Sequence, residues 1–339
     1  MKHLGTSTIE RQQALIRTEV GKHVVQGQPY ALVDFPSYSN VGDSAIWLGL
    51  TKVLLEVTGR RPSYVSHSRP KDISALWSAL PNGPIIICGG GNFGDIWKDH
   101  QGLRYRLMRE FPGRQIVQMP QSIQFNDPRN LALCSEEIAR HGNFYLMVRD
   151  DRSLRIAQEN FTCPVSLIPD TAFCLGALEQ SRAQRYDTIY MLRSDSEKSD
   201  VDLSEAQSIV DGPVWDWLDE PAHTRRKCPM TVAKTVASGK FSMNAFRVRH
   251  YEDLASRRLV RGIAMLSQGQ RIVTDRLHVH IMSLLLNIPH VALDNSYGKV
   301  HGYIDAWTDE CPLVSKAINS KEVLRGLARF THRGFSRAI

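Results

Sequence analysis

Several common signatures are missing from this 339-residue sequence. No run reaches the ~18 apolar residues needed to cross a membrane. The opening MKHLGTSTIERQQ lacks the apolar core of a secretory leader. None of the six cysteines, Cys88, Cys134, Cys163, Cys174, Cys228 and Cys311, stands in a C-x-x-C pair, which removes the zinc and dithiol signatures. Several lie in apolar strands, as buried free thiols do, so a reducing, cytoplasmic compartment is expected, with peripheral contact to a membrane left open. There is no G-x-S-x-G elbow and no P-loop ending in Gly-Lys-Ser/Thr. No helix carries H-x-x-x-H with a partner acid, and no carboxylates cluster at metal spacing, so no metal is expected. Concentrated charge is absent too. The net charge of +7 arises from 42 Lys and Arg against 35 Asp and Glu along the whole chain, with Arg225, Arg226 and Lys227 as the densest group. Nucleic-acid binders gather their basic residues on a patch or tail. This spread fits a mildly basic surface, an anionic small substrate or an anionic membrane face.

What is present is a globular composition, long enough for about two domains. Short apolar runs alternate with helical patterns. YALVDF (30–35), PIIIC, RQIVQMPQS, NFYLMVRD and VSLIPDTAF read as strands. AIWLGLTKVLLEVTG, LRYRLMREF, LALCSEEIARHG and RSLRIAQEN read as helices between them. A second series starts near residue 185 with the strand DTIYMLRSD, and continues through YEDLASRRLVRGIAMLSQG, QRIVTD, RLHVHIMSLLLNI and HVALDN to the amphipathic SKEVLRGLARF. The segment DGPVWDWLDEPAHTRRKCPM has no period and reads as an active-site loop or an irregular insertion. Strands alternating with helices of about 10–15 residues predict parallel sheets with crossover helices. The expectation is α/β with two Rossmann-like domains, 1–184 and 185–339, the last helix being free to pack back on the first. In such sheets ligands bind where strands end and helices begin.

Chemistry-bearing residues fall at those ends. Gly89-Gly90-Gly91-Asn92-Phe93-Gly94-Asp95 follows an apolar strand and matches G-x-G-x-x-G. The acidic residue a dinucleotide site needs at the next strand is replaced by Gln118 and Gln121. Glycine backbone can still approach an anion or a sugar hydroxyl closely. A second set, Asn40, Gly42, Asp43 and Ser44, precedes a helix, where one member caps it. Arg149 and Arg193 each end a strand, well placed to clamp a phosphate or carboxylate. Asp170 ends the strand after Arg149, and Asp150 or Asp151 caps the helix between them. In TDRLHVHIMSLLLNIPHVALDNSYGK, Thr274 or Asp275 is the natural cap of a helix that is apolar nearly all round and therefore buried. Its exposed first turn favours an anion. Arg276 adds charge there and His278 a group that carries protons near neutrality, while His280 reads as a core or interdomain histidine. Lys299 follows the next strand at the same edge.

SNVGDSAIW, GGGNFGD, VRDDRS, PDTAF and the TDRLHVHIMSLLLNIPHVALDNSYGK block occur in the order of the polysaccharide pyruvyl transferases, which the chain resembles over about 34–303; residues 195–245 carry no match. The resemblance implies a GT-B-like fold, two Rossmann-like domains facing across a cleft, with acceptor side first and donor side second. It implies a transferase of the enolpyruvyl- and alkyl-transfer class. Phosphoenolpyruvate would be the donor and a sugar of an exopolysaccharide, or of its lipid-linked repeat, the acceptor; a pyruvate ketal would form, phosphate would leave, and no cofactor would take part. Arg276, Leu277 and His278 match the family's donor-binding triplet, Arg193 a further donor-binding arginine, and Arg149 and Lys299 basic positions implicated in activity. His278 is the expected proton carrier. Asn40, Gly42, Asp43, Gly90, Gly91, Asn92 and Asp95 would form the acceptor loops, with Asp95 a candidate carboxyl acid. Two other readings compete. One is a glycosyltransferase using a nucleotide sugar, with Asp294 on the ribose. The other is a non-catalytic binder of anions or glycans, which has no need of a histidine beside two arginines.

Overall fold

The computed structural model describes residues 3–70, 73–181, 184–195, 197–218, 220, 243–295 and 298–332. Most of the unperiodic segment at 211–230, with Arg225, Arg226, Lys227 and Cys228, lies outside them. The described strands form two sheets. The first contains β1 (Ala31–Phe35), β2 (Tyr64–His67), β3 (Ile85–Ile87), β4 (Gly90–Gly94), β5 (Ile116–Gln124), β6 (Phe144–Val148) and β7 (Val165–Leu167). Its order is β2-β1-β3-β5-β6-β7, with β4 along the second half of β5. The second contains β8 (Tyr186–Met191), β9 (Val214–Trp215), β10 (Gly269–Thr274), β11 (His290–Leu293) and β12 (Val314–Ala317), ordered β12-β11-β10-β8-β9. Every described pairing is parallel. Strands covered on both faces must be apolar throughout, and β1 and β3 are buried at every residue. Local chemistry sets the helix ends. Asn40 accepts from the Gly42 N–H to start Val41–Thr58, and Gly59, at φ 69°, ends it in the left-handed region.

The chain divides into two compact α/β units, and the division is not a single cut at 184/185. Residues 13–174 and 243–257 form one unit; described residues of 1–12, 175–220 and 258–332 form the other. Tyr251 stacks on Phe35 at 4.1 Å, and the Asn244 side chain bonds the Val65 N–H and the Ser63 carbonyl. The first part of the helix Met243–Leu266 therefore belongs with β1 and β2. At the chain start, the Leu4 N–H reaches Asn287 Oδ1 and Gln12 Nε2 reaches the Trp307 carbonyl. The last helix, Ser320–His332, lies on the second sheet. Its Val323, Leu327 and Phe330 enter the core around β10, β11 and β12.

Several described elements escape the sequence patterns, β12 and the helix Ser204–Ile209 among them. GGNFG is a strand rather than a loop, because its glycines let β4 approach β5 edge to edge. Thr6–Val20 is a helix whose sparse apolar residues, Ile9, Ile16 and Val20, are diluted by polar ones. Lys299–Trp307 follows Gly298, whose φ of 75° turns the chain into it. No described helix is long and apolar enough to cross a membrane.

Candidate active site

At the carboxyl edge of the second sheet, β8 and β10 are tied together by threonine and aspartate side chains. Thr274 Oγ1 donates to the Met191 carbonyl at 2.7 Å and accepts from the Arg276 N–H at 3.0 Å. Asp275 accepts from the N–H groups of Arg193 and Ser199 at 2.8 and 3.0 Å. Burial pushes the Asp275 carboxyl up, against the pull of those two N–H groups. The helix cap is thus neither Thr274 nor Asp275, both engaged elsewhere. Arg276 occupies the cap position of Leu277–Leu285 without a side-chain capping bond.

This edge gathers three of the predicted cations. Arg276, 3% exposed, donates to Asp216 Oδ2 at 2.6 Å and lies 3.5 Å from Asp195 Oδ2. Arg193 Nε meets Asp195 Oδ1 at 2.7 Å, and its other end meets Glu197 Oε2 at 2.9 Å. Lys299 pairs with the same Glu197. Burial opposes charge on Asp195 and Asp216, yet the bonds from Arg193 and Arg276 respectively outweigh it and hold both carboxyls below their usual range. Arg276 Nε is sealed from solvent and has no hydrogen-bond partner among the described residues. His278 lies half-buried in the first turn of the same helix. Leu277 is packed in the core of the unit. His280 is a core histidine, bonded to His290 at 2.7 Å and Thr308 at 3.0 Å. Asp294 Oδ1 accepts from the N–H groups of Val300 and His301 in the first turn of the helix Lys299–Trp307. The sequence patterns missed Asp195, Glu197 and Asp216, because nothing in a polar stretch tells which carboxylate will face an arginine.

In the other unit the SNVGD and GGGNFGD motifs converge. Asn40 caps its helix through a 2.9 Å bond from Gly42, and Asp43 stands in the first turn, where the helix dipole favours a carboxylate. A Cβ on Gly90, whose φ is 141°, would sit 3.5 Å from Asp43 Oδ1. Gly91 is half-buried in β4. Asn92 Oδ1 accepts from Arg104 at 2.6 Å and from Gln121 at 3.0 Å. Its Nδ2 lies toward Asp34 and His100. Gln118 and Gln121, set against a dinucleotide site, are buried members of this network; Gln118 accepts from Arg104 Nε at 2.7 Å. Asp34, His100 and Arg104 were not singled out, although an aspartate inside the apolar YALVDF was a signal.

Two predicted residues have other work. Asp95 accepts from the N–H groups of Asn126 and Asp127 at 2.9 Å and from the Asn130 amide at 3.2 Å. Burial works against its charge, but those donors prevail and hold the carboxyl low, so it anchors the loop at 126–130. Arg149, 2% exposed, donates to Asp170 at 2.5 Å and to Ser122 at 3.0 Å, while Ser122 donates to Asp150 at 2.7 Å. Its guanidinium joins the ends of β5, β6 and β7. Among the described residues, no group of three His, Cys, Asp or Glu is arranged to hold a metal.

The pattern of one protein family, described as polysaccharide pyruvyl transferase, matches residues 40–297. A Schizosaccharomyces pombe protein named pyruvyl transferase 1 is 30% identical over 342 residues, covering 93% of this chain and 79% of that relative. A Bacillus subtilis relative, also with pyruvyl transferase in its name, is 30% identical over 282 residues, covering 82% and 85%. A crystal structure of an uncharacterized Klebsiella pneumoniae protein superposes with a TM-score of 0.53 at 16% identity, over 90% of this chain and 98% of that one, a likeness of fold alone.

Proposed function

The chain belongs to the polysaccharide pyruvyl transferase family, and from that premise we propose that it transfers a pyruvyl group from phosphoenolpyruvate to two hydroxyls of a sugar. The acceptor is a saccharide of an exopolysaccharide or its lipid-linked repeat, met at the cytoplasmic face of a membrane. The observation that carries this reading is the line Arg276–Asp195–Arg193–Glu197–Lys299 at one strand edge. Two forked guanidinium groups and an ammonium suit a ligand bearing both a carboxylate and a phosphate. Asp195, Glu197 and Asp216 hold these cations in place, and the donor's oxygens exchange for them on binding. The N-terminal end of Leu277–Leu285, buried but for the half-exposed His278 and not the open turn expected from the sequence, adds its dipole.

The chemistry then needs few groups. His278 delivers a proton to the donor's methylene carbon, which becomes a methyl group and leaves the central carbon cationic. A sugar hydroxyl attacks that carbon and gives up its proton to a base. The carbon–oxygen bond to phosphate breaks with its electron pair on phosphate, stabilised by Arg276 and Arg193. A second hydroxyl closes the ketal. Of the two hydroxyl protons, one ends in the methyl group and the other on phosphate, so the enzyme's groups return to their starting state. No cofactor enters.

Incubation with phosphoenolpyruvate and a panel of glycosides tests this. Phosphate release should accompany a mass gain equal to pyruvic acid less one water, and Arg276→Ala should reduce turnover by about 10²-fold or more, as loss of a charge-stabilising donor does. Sugar transfer from a nucleotide donor, with phosphoenolpyruvate untouched, would sink the reading.

A further inference from the structure

At the carboxyl edge of the second sheet, three cationic side chains face three carboxylates: Arg193, Arg276 and Lys299 against Asp195, Glu197 and Asp216. All six belong to one compact unit. An incoming anion finds the cations engaged, so it must replace a carboxylate rather than fill a gap. The three carboxylates are not held alike. Asp216 Oδ2 accepts from the Ser194 N–H at 2.9 Å, from the Ser194 hydroxyl at 2.7 Å and from Arg276 at 2.6 Å, and its Oδ1 accepts from the Leu218 N–H at 3.3 Å. Backbone and side chain together fix it. Asp195 is gripped by the Arg193 fork, Nε at 2.7 Å and Nη2 at 2.9 Å, with one backbone bond from the Glu197 N–H at 3.1 Å. Glu197 is held by the side chains of Arg193 and Lys299. The exchange with a ligand therefore falls on Asp195 and Glu197.

The places these two occupy differ in shape. Asp195 Oδ2 lies against two guanidinium groups, 2.9 Å from Arg193 Nη2 and 3.5 Å from Arg276 Nη2, and its side chain is 33% exposed. Two planar forks converging on one point suit the several oxygens of a tetrahedral phosphate. The open side gives a leaving group its way out. At Glu197 a single oxygen, Oε2, is shared by Arg193 and Lys299, and the side chain is 10% exposed. One fork and one point charge in a closed place suit a planar carboxylate that stays bound through the reaction.

Resting on the pyruvyl-transfer reading, we propose that Asp195 holds the place of the donor's phosphate and Glu197 the place of its carboxylate, so that this pair determines which end of phosphoenolpyruvate enters where. Arg193 touches both places and bridges the donor's two anionic groups. Each carboxylate moves aside as the matching group of the donor comes in. The donor's apparent affinity is its intrinsic affinity lowered by the fraction of molecules in which the place stands open. After the bond to phosphate has broken, the Asp195 carboxylate returns to Arg193 and displaces the product.

Calorimetry on the full chain, with inorganic phosphate and with pyruvate as separate probes at one ionic strength, tests the two places independently. Asp195→Asn keeps an acceptor for the Glu197 N–H but brings no charge to compete for the guanidinium groups. It should bind inorganic phosphate about tenfold more tightly than the wild type, as for a place open in about a tenth of the molecules, and pyruvate within about twofold of it. Glu197→Gln should do the reverse. The KM for phosphoenolpyruvate should fall in both variants. A gain of affinity cannot come from misfolding, and where an amide variant does not fold, Asp195→Ser or Glu197→Ser takes its place. Loss of negative charge by itself strengthens both probes in both variants; that outcome overturns the assignment, as does unchanged affinity or the opposite split. Absence of pyruvyl transfer by the wild-type chain to every glycoside, with the split as stated, overturns the functional reading alone and leaves the two places to another ligand that carries both groups.

Discussion

Asp34, Asp43 and Asp95 are three aspartates beside two motifs, and their surroundings give them three tasks. The motifs were legible as strings, and their placement at strand ends followed from parallel-sheet topology. Which carboxylate anchors and which faces a ligand was not legible, because that depends on donors distant in sequence: Asn126, Asp127 and Asn130 for Asp95, His100 and Asn92 for Asp34. The glycines were read for ligand approach, yet Gly94 answers to packing. Its φ is 134°, and a Cβ there would overlap the Gln124 carbonyl. Asp95→Ala should cost about 1–3 kcal/mol, since it leaves two backbone N–H groups and an amide without their acceptor, while kcat of the folded variant stays at the wild-type value. Urea midpoints with steady-state rates check this; a catalytic loss without a stability loss would return Asp95 to the acceptor site.

Leu277–Leu285 shows how far an element can be read. Its apolar girth predicted burial, and every residue from Val279 to Leu285 is buried. Periodicity could not show what His280 does inside it. His290 Nδ1 donates to the Ile288 carbonyl at 3.1 Å, which leaves its Nε2 to accept from His280 Nδ1, and His280 Nε2 then accepts from Thr308. That chain of bonds requires both rings neutral. Burial pushes His290 down to about 4 and His280 well below the ordinary imidazole range. The unfolded chain takes up these protons below about pH 6.5, and the folded chain does not, so the unfolded state binds more protons between about pH 6.5 and 4. Stability therefore falls as pH falls through that window, by up to about 1.4 kcal/mol per pH unit for each ring. Urea midpoints measured from pH 7 to pH 4.5 should show this slope. His290→Gln should lower stability at pH 7 and flatten the slope, and an equally steep slope in that variant would exclude the pair as its source.

At the scale of the whole chain, alternating strands and helices revealed two parallel-sheet units, but not the exchange of segments between them. Local patterns report an element's period, and neither the helix of 243–266 nor that of 6–20 has a sequence mark where it passes from one unit to the other. A cut at 184/185, natural from the sequence, leaves the first unit without residues 243–257. It loses the Tyr251 ring from Phe35, the Asn244 bonds to Ser63 and Val65, and the Arg61–Glu252 pair, here half-exposed and worth little. The aromatic stack matters most. Phe35 is 1% exposed in the full chain, and stripping its partner returns apolar area to water at about 25 cal/mol per Å². The fragment 1–184 should therefore unfold at lower urea than the first transition of the full chain and bind a hydrophobic dye. The complementary fragment 185–339 loses the bonds that Leu4 and Gln12 make to Asn287 and Trp307, and should be destabilised as well. Adding a peptide of residues 243–257 should restore part of the first fragment's stability. A fragment 1–184 as stable as the full chain, indifferent to the peptide, would mean that these contacts contribute nothing and that the simple cut was right.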